Sequence, residues 1–247
     1  FQKLVFNTTT FIHAARVKGN VGLLRLKARD IDLGKQLVKV DGIRLSDASI
    51  DVALSDTVKD DTTQQDIFWK IAVEQLKVSR SNVMVHLPGD SLRVQVYMGK
   101  TIARQGFFDL YKSSYRVVAF DWEEGRIKYD NPFKPTMKGL DYNHLSVSDI
   151  KLGVDSFEYA SPKLTMRIRS CSWAEKSGLA VSSLTGPVYL DSAKLRLPAL
   201  SLRTPASRLD AAVDLDLNAF DDLHPGQFKV SLHGSLGKQD MMRFLTD

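Results

Sequence analysis

Gly42-Ile43-Arg44-Leu45-Ser46-Asp47-Ala48-Ser49-Ile50-Asp51-Val52-Ala53-Leu54 carries its apolar residues on odd positions at Ile43 and Leu45 and on even positions at Ile50, Val52 and Leu54. Alternation of this kind is the mark of a strand with one apolar and one wet face. A shift of one residue sends every later side chain to the opposite face, so the slip across Ser46-Asp47-Ala48-Ser49 has to be absorbed by a turn or a bulge. The same event recurs 33 residues later, where Leu76 and Val78 precede Ser79-Arg80-Ser81-Asn82 and then Val83, Val85 and Leu87. Residues 42–54 and 75–87 align without a gap, and Leu145 and Val147 stand before Ser148-Asp149 and Ile150, Leu152 and Val154 in a looser copy. This reads as a soft internal repeat of strand, short turn, strand, and repeats that cannot bury an apolar face alone point to an elongated stacked array.

Period-two runs fill most of the rest. They include Trp69, Ile71, Val73; Leu92, Val94, Val96, Met98; Ile127, Tyr129; Leu164, Met166, Ile168; Leu195, Leu197; Leu209, Ala211, Val213, Leu215, Leu217; and Phe228, Val230, Leu232. The intervening positions are mostly polar, as in antiparallel sheet with one solvated face. Two segments carry a helical reading, Thr101 to Lys112 and Lys238 to Leu245. Asp56 to Asp66 and Asp130 to Pro135 read as exposed loops that interrupt the sheet without dividing it, so residues 1–247 form a single elongated β domain.

The 247 residues hold 34 Lys or Arg against 29 Asp or Glu, a net charge of +5, with 43% apolar and 26% charged residues. That composition excludes disorder, collagen and coiled coil. The cations alternate with apolar residues, as in Arg25, Lys27 and Arg29 or Lys194 and Arg196, rather than gathering on one face as nucleic-acid binding requires. No nucleic-acid partner is expected. The single cysteine, Cys171, excludes an internal disulfide and a zinc ribbon. No run approaches the ~18 apolar residues of a membrane-spanning helix. The chain begins with Phe1 rather than Met, which leads us to expect a fragment of a longer protein.

Catalytic and metal patterns are weak. His13, His86, His144, His224 and His233 show no ligand spacing. Asp214 to Asn218 opens like a calcium loop but places Ala219 and Pro225 where Gly and Glu are required. Ser148-x-x-Lys151 and Ser235-x-x-Lys238 lack the companion motifs of acylating serine enzymes. The expectation is a protein that is not an enzyme, with no catalytic residue, metal or cofactor.

A sheet with one apolar face either closes as a β-sandwich or curls into an open trough, and the alternation fits both. The blocks Gly139-Leu140-Asp141-Tyr142-Asn143-His144-Leu145, Leu179 to Val188 and Leu195 to Pro205, with Leu24 to Leu54, resemble the TamB family in its Bacteroidetes form, over roughly residues 20 to 240. The resemblance implies an all-β, elongated, curled antiparallel sheet (β-taco) with an apolar interior, the closed β-sandwich being the alternative. It implies a periplasmic bridge anchored in the inner membrane by a segment outside this chain. Its groove would conduct or shield phospholipid acyl chains, with a TamA-type outer-membrane barrel as a second partner. A scaffold for outer-membrane barrel assembly and a structural or adhesion module are the other readings. On the trough reading the lining is one parity of the clearest strands: Ile50, Val52, Leu54, Val83, Val85, Leu87, Val94, Val96, Leu164, Met166, Ile168, Leu195, Leu197, Val213, Leu215 and Leu217. About fifteen strands at ~4.8 Å would give a trough on the order of 70 Å long.

Overall fold

The structure is a computed structural model that describes residues 2–9, 16–54, 68–87, 92–219 and 225–244. One open, curled sheet runs through the chain. Its strands are β1 (Gln2–Thr9), β2 (Arg16–Asp32), β3 (Leu37–Ala53), β4 (Lys70–Leu87), β5 (Leu92–Asp109), β6 (Ser114–Asp130) and β7 (Ser146–Ala160). They continue as β8 (Lys163–Glu175), β9 (Ala180–Val181), β10 (Ser183–Leu190), β11 (Lys194–Arg203), β12 (Arg208–Asp216) and β13 (Phe228–Ser235), followed by the helix α1 (Lys238–Phe244). Strand order in space follows strand order in sequence, with β9 pairing off the path on β8. The strand-to-strand backbone contacts are essentially those of ladder neighbours, so the sheet is open and the β-sandwich alternative is not adopted.

The strands are fewer and longer than the alternating runs suggest, with β3 to β6 each 17 or 18 residues long. The reason is that the parity slips are bulges inside continuous strands, not turns between short ones. Asp47, Arg80 and Glu124 sit at positive φ of 56°, 46° and 56° inside β3, β4 and β6, and Asp149 at 54° near the start of β7. Gly22 of β2 and Gly99 of β5 stand opposite Asp47 and Arg80 at the same level. β2 to β6 therefore carry their irregularity at the same height and register survives it, whereas the β6–β7 ladder shifts locally between Trp122 and Ile127. Ser46 faces Ser79 below the β3–β4 bulges, Ser49 faces Asn82 above them, and the offset is unchanged. A left-handed backbone costs a non-glycine residue ~1–2 kcal/mol. Without it Ile50 and Val52, or Val83 and Val85, would turn outward, and burying each such side chain is worth up to ~1.5–3 kcal/mol. Burial outweighs the strain in every strand that carries a bulge.

A second line of slips crosses the sheet at Asp41, Glu74, Gln105, Val118 and Ser156, where Gln105 and Ser156 again have positive φ. The segment expected as helix from Thr101 to Lys112 contains this slip, and it is the C-terminal part of β5 running into a turn. A parity change within a few residues imitates helical spacing, which is why the sequence misleads there. The helix expected at Lys238 is present as α1, with Leu245 outside the described residues. The loop at Asp130–Pro135 is observed, and the one at Asp56–Asp66 lies outside the described residues, as do His13 and His224.

Among the described residues eleven of the twelve ladders are antiparallel, but β3 and β4 are parallel, joined at a uniform offset of 33 residues. The two gapless repeat copies are thus immediate neighbours in register. Period two does not distinguish the two pairings, since a parallel pair in a one-sided sheet also shows a wet and an apolar face.

Gly99 lies against the bulge of β6, and a Cβ there would meet Glu124 Cβ at 2.5 Å and its carbonyl oxygen at 2.8 Å. Gly99→Ala should lower the stability in chemical denaturation by about 1–3 kcal/mol. Gly34→Ala, in a turn with its nearest neighbour at 3.5 Å, should change it by less than about 0.5 kcal/mol.

Candidate functional site: an apolar groove

Register places the expected lining residues in rows across one face. Ile50, Val83 and Val96 face one another in sequence across β3, β4 and β5, and Ile127 and Val147 extend the row through β6 and β7. Val52, Val85 and Val94 form the next row, bounded by Val17 of β2 and Tyr129 of β6, and Leu87 faces Leu92 beyond them. Leu54 follows the end of β3 and donates its amide to the His86 carbonyl at 3.0 Å. The remaining residues form a second group. Leu164 of β8, Leu190 of β10, Leu195 of β11 and Leu215 of β12 make one row, with Met166 facing Val188 and Leu197 facing Val213. Ile168 joins Val154 and Phe120. Leu217 stands apart: it belongs to the turn after β12 and is 51% exposed.

The two groups lie at different levels of the same face, joined by residues that the sequence reading did not include. Leu76, Ala103, Phe120 and Val154 make one connecting row. Ile71, Phe108, Tyr115, Tyr159 and Leu164 make another, with ring centroids 6.1 Å apart for Phe108–Tyr115 and 5.8 Å for Tyr115–Tyr159. Burial is deepest beside the first line of bulges, where Val21, Ala48, Ser81, Trp122 and Ile150 are buried, whereas Val52, Val85 and Val94 are half-buried. Two of these buried residues, Ala48 and Ser81, are small, and the Ser81 hydroxyl accepts the Ala48 amide at 3.2 Å. Trp122 lies across Gly125, where a Cβ would meet its ring at 2.4 Å. This row is the floor of the groove, and the valine rows are its half-open wall.

The groove is almost free of charge along its described length. Its polar atoms are few, and Thr101 Oγ1 and Trp122 Nε1, neighbours across β5 and β6, are buried without a hydrogen-bond partner. Cys171 faces Leu152, and burial pushes its thiol above the usual range, so it stays protonated and apolar. Glu175, buried opposite Val147 at the end of the first row, accepts the amides of Ser146 and Ser177, and the ion pairs of the central strands lie on the other face. There Arg80 is bidentate on Asp47 at 2.7 Å, Lys100 pairs with Glu124, and Arg104, Asp121, Arg169 and Asp155 form a chain across β5 to β8. Such exposed pairs contribute at most ~1 kcal/mol each, so their chief effect is to keep this face wet.

One end of the sheet is closed by polar contacts. The carboxylate of Asp141, fully buried, accepts the amides of Met137, Asn143 and His144 at 2.9–3.2 Å, and these bonds hold its pKa below the usual range. His144 Nδ1 lies 2.7 Å from Asp130 and Nε2 lies 2.8 Å from the Lys134 carbonyl. Asp240 of α1 accepts the Thr204 and Ser207 hydroxyls, and Arg243 donates to the Ser177 carbonyl. Leu140 donates its amide to the Arg243 carbonyl at 3.0 Å, so loop 131–145, the β8–β9 turn and the β11–β12 turn are fixed together through α1. Among the described residues no group of three or more His, Cys, Asp or Glu is placed to hold a metal ion, and no helix is long and apolar enough to cross a membrane. In comparisons with known proteins, no family model and no curated protein matches the chain.

The Asp130 carboxylate, and then the Lys134 carbonyl, raise the pKa of His144 above its ordinary 6.5. The stabilisation is fully present below the unfolded pKa and is lost as pH rises through the folded one. The His144 ring, followed by NMR, should titrate above 6.5 and move back toward it in Asp130→Asn. Loop 131–145 should lose exchange protection on the alkaline side of that transition.

Proposed function

We propose that the groove shields the acyl chains of phospholipid and conducts them along the sheet. The observation that carries this reading is an apolar face that no second layer of the described structure covers, running through paired apolar rows from β2 to β12. An acyl chain of about fifteen methylenes gains on the order of 12 kcal/mol on leaving water, if all of it is covered. The ten strands from β2 to β12 along the sheet, at ~4.8 Å spacing, extend the face for about 40 Å, longer than one such chain. A few unpaired polar atoms at Thr101 and Trp122 do not break that path, because they are buried beneath their neighbours.

The resemblance to the TamB family supports the same reading and adds a place for it, a bridge in the periplasm anchored in the inner membrane through a segment outside this chain. Lipid passage by this route needs no catalytic group. A second reading, a scaffold for outer-membrane barrel strands with a TamA-type partner, is favoured by one edge of the sheet. All of β13 is exposed, and Phe228, Val230 and Leu232 on its groove face are each more than half exposed. An edge strand with that profile is suited to pairing with an added strand.

Native mass spectrometry of the protein purified from bacterial cells distinguishes them. The wild type should retain phospholipid, and Val85→Glu and Leu215→Glu should each lose at least tenfold of it while keeping their β-sheet circular dichroism. A lipid-free wild type would overturn the lipid reading, and capture of an extended apolar peptide at β13 would favour the scaffold.

A further inference from the structure

On the outer face of β2, β3 and β4 the register sets three cations side by side. Arg25 faces Arg44, and Arg44 faces Lys77. Like charges placed directly opposite on neighbouring strands are destabilising. Nearby cations on this face are matched: Arg29 by Asp41, Lys39 by Asp30, and Arg80 by Asp47. The side chains of Arg25, Arg44 and Lys77 make no hydrogen bond, ion pair or ring contact among the described residues. They border a recess of about 880 Å³, together with Lys27 and Gln75, above Gly42, whose missing side chain leaves room on the sheet surface.

We infer that Arg25, Arg44 and Lys77 form a binding site for a phosphate-class anion on the outer face, separate from the groove. Neighbouring strands are ~4.8 Å apart, so three charges fall within about 10 Å, a span that one phosphate and its substituent bridge. Two guanidinium forks present paired donors that match phosphate oxygens, and the ammonium adds a third charge. The recess exceeds the size of inorganic phosphate, so it also has room for the organic part of a phosphoester beside Gly42 and Gln75. A bound dianion also removes the repulsion within the row.

Calorimetric titration of the intact chain with inorganic phosphate at low salt tests this. Binding is expected, with Arg44→Gln weakening it at least tenfold and Lys39→Gln changing it less than twofold. Flotation with phosphatidylcholine vesicles containing phosphatidylglycerol, lost in Arg44→Gln and competed by phosphate, would identify the anion as a lipid headgroup. Phosphate binding without flotation would identify a soluble phosphoester. No binding of either probe, or binding unchanged in Arg44→Gln, overturns the site. In the absence of anion, Arg44→Gln should raise Tm at low salt by about 1–3 °C through relief of repulsion, and a fall would contradict the opposed-charge row on which the site rests.

Discussion

The alignment of backbone irregularities across neighbouring strands is the constraint on which the rest of the structure depends. A lone bulge flips the face of everything beyond it and dislocates the ladder with the next strand. Here Asp47, Arg80 and Glu124 bulge at one height, with Gly99 occupying that height on β5 between them and Gly22 on the flanking β2, so apolar residues stay on one side for the full length of β3 to β6. The strand can then be long enough to wrap a groove instead of crossing a flat sheet. The same residues serve the outer face, where the Asp47–Arg80 and Lys100–Glu124 pairs hold the bulged residues in solvent.

Separation of the two faces follows from that alignment. The inner face gathers valine, leucine and aromatic rows whose burial grades from a closed floor at Ala48 and Ser81 to half-open walls at Val52 and Val85. The outer face gathers ion pairs worth little individually, and their value lies in excluding apolar partners from that side. At one end Asp141 and Asp240 fasten loop and helix to the sheet. β13, by contrast, leaves its backbone edge and its apolar row uncovered within the described structure.

Much of this was legible in the sequence, because a one-sided sheet writes its faces directly into period two. Ile50, Val83 and Val96, read separately as apolar alternations, are one physical row. The slips at Asp47, Arg80 and Asp149 were visible as changes of parity, but parity alone does not distinguish a bulge from a turn. The open trough came from the family resemblance, since the residues by themselves fit a sandwich equally. The parallel pairing of β3 with β4 was missed, although the order of slips carries it. β3 and β4 each place two groove-face residues, then two more, and end on the longer run (Ala48 to Val52, Ser81 to Leu87), whereas β5 begins with its longer run, Leu92 to Met98, which matches β4 only in reverse. Residues linking the two lining groups, such as Ala103, Phe120 and Tyr115, were missed because they are uneven in size and flank the second slip line. Leu217 was included because alternation continued one step past the point where the chain turns.

The central claim is that one face of this sheet meets lipid and the other meets water. Photocrosslinking in living bacterial cells tests it most directly, with a benzophenone amino acid placed at Val96 and, separately, at its neighbour Gln95 on the opposite face. The account predicts phospholipid adducts from position 96 and none from position 95. Adducts of equal yield from both positions, or none from either, would contradict it.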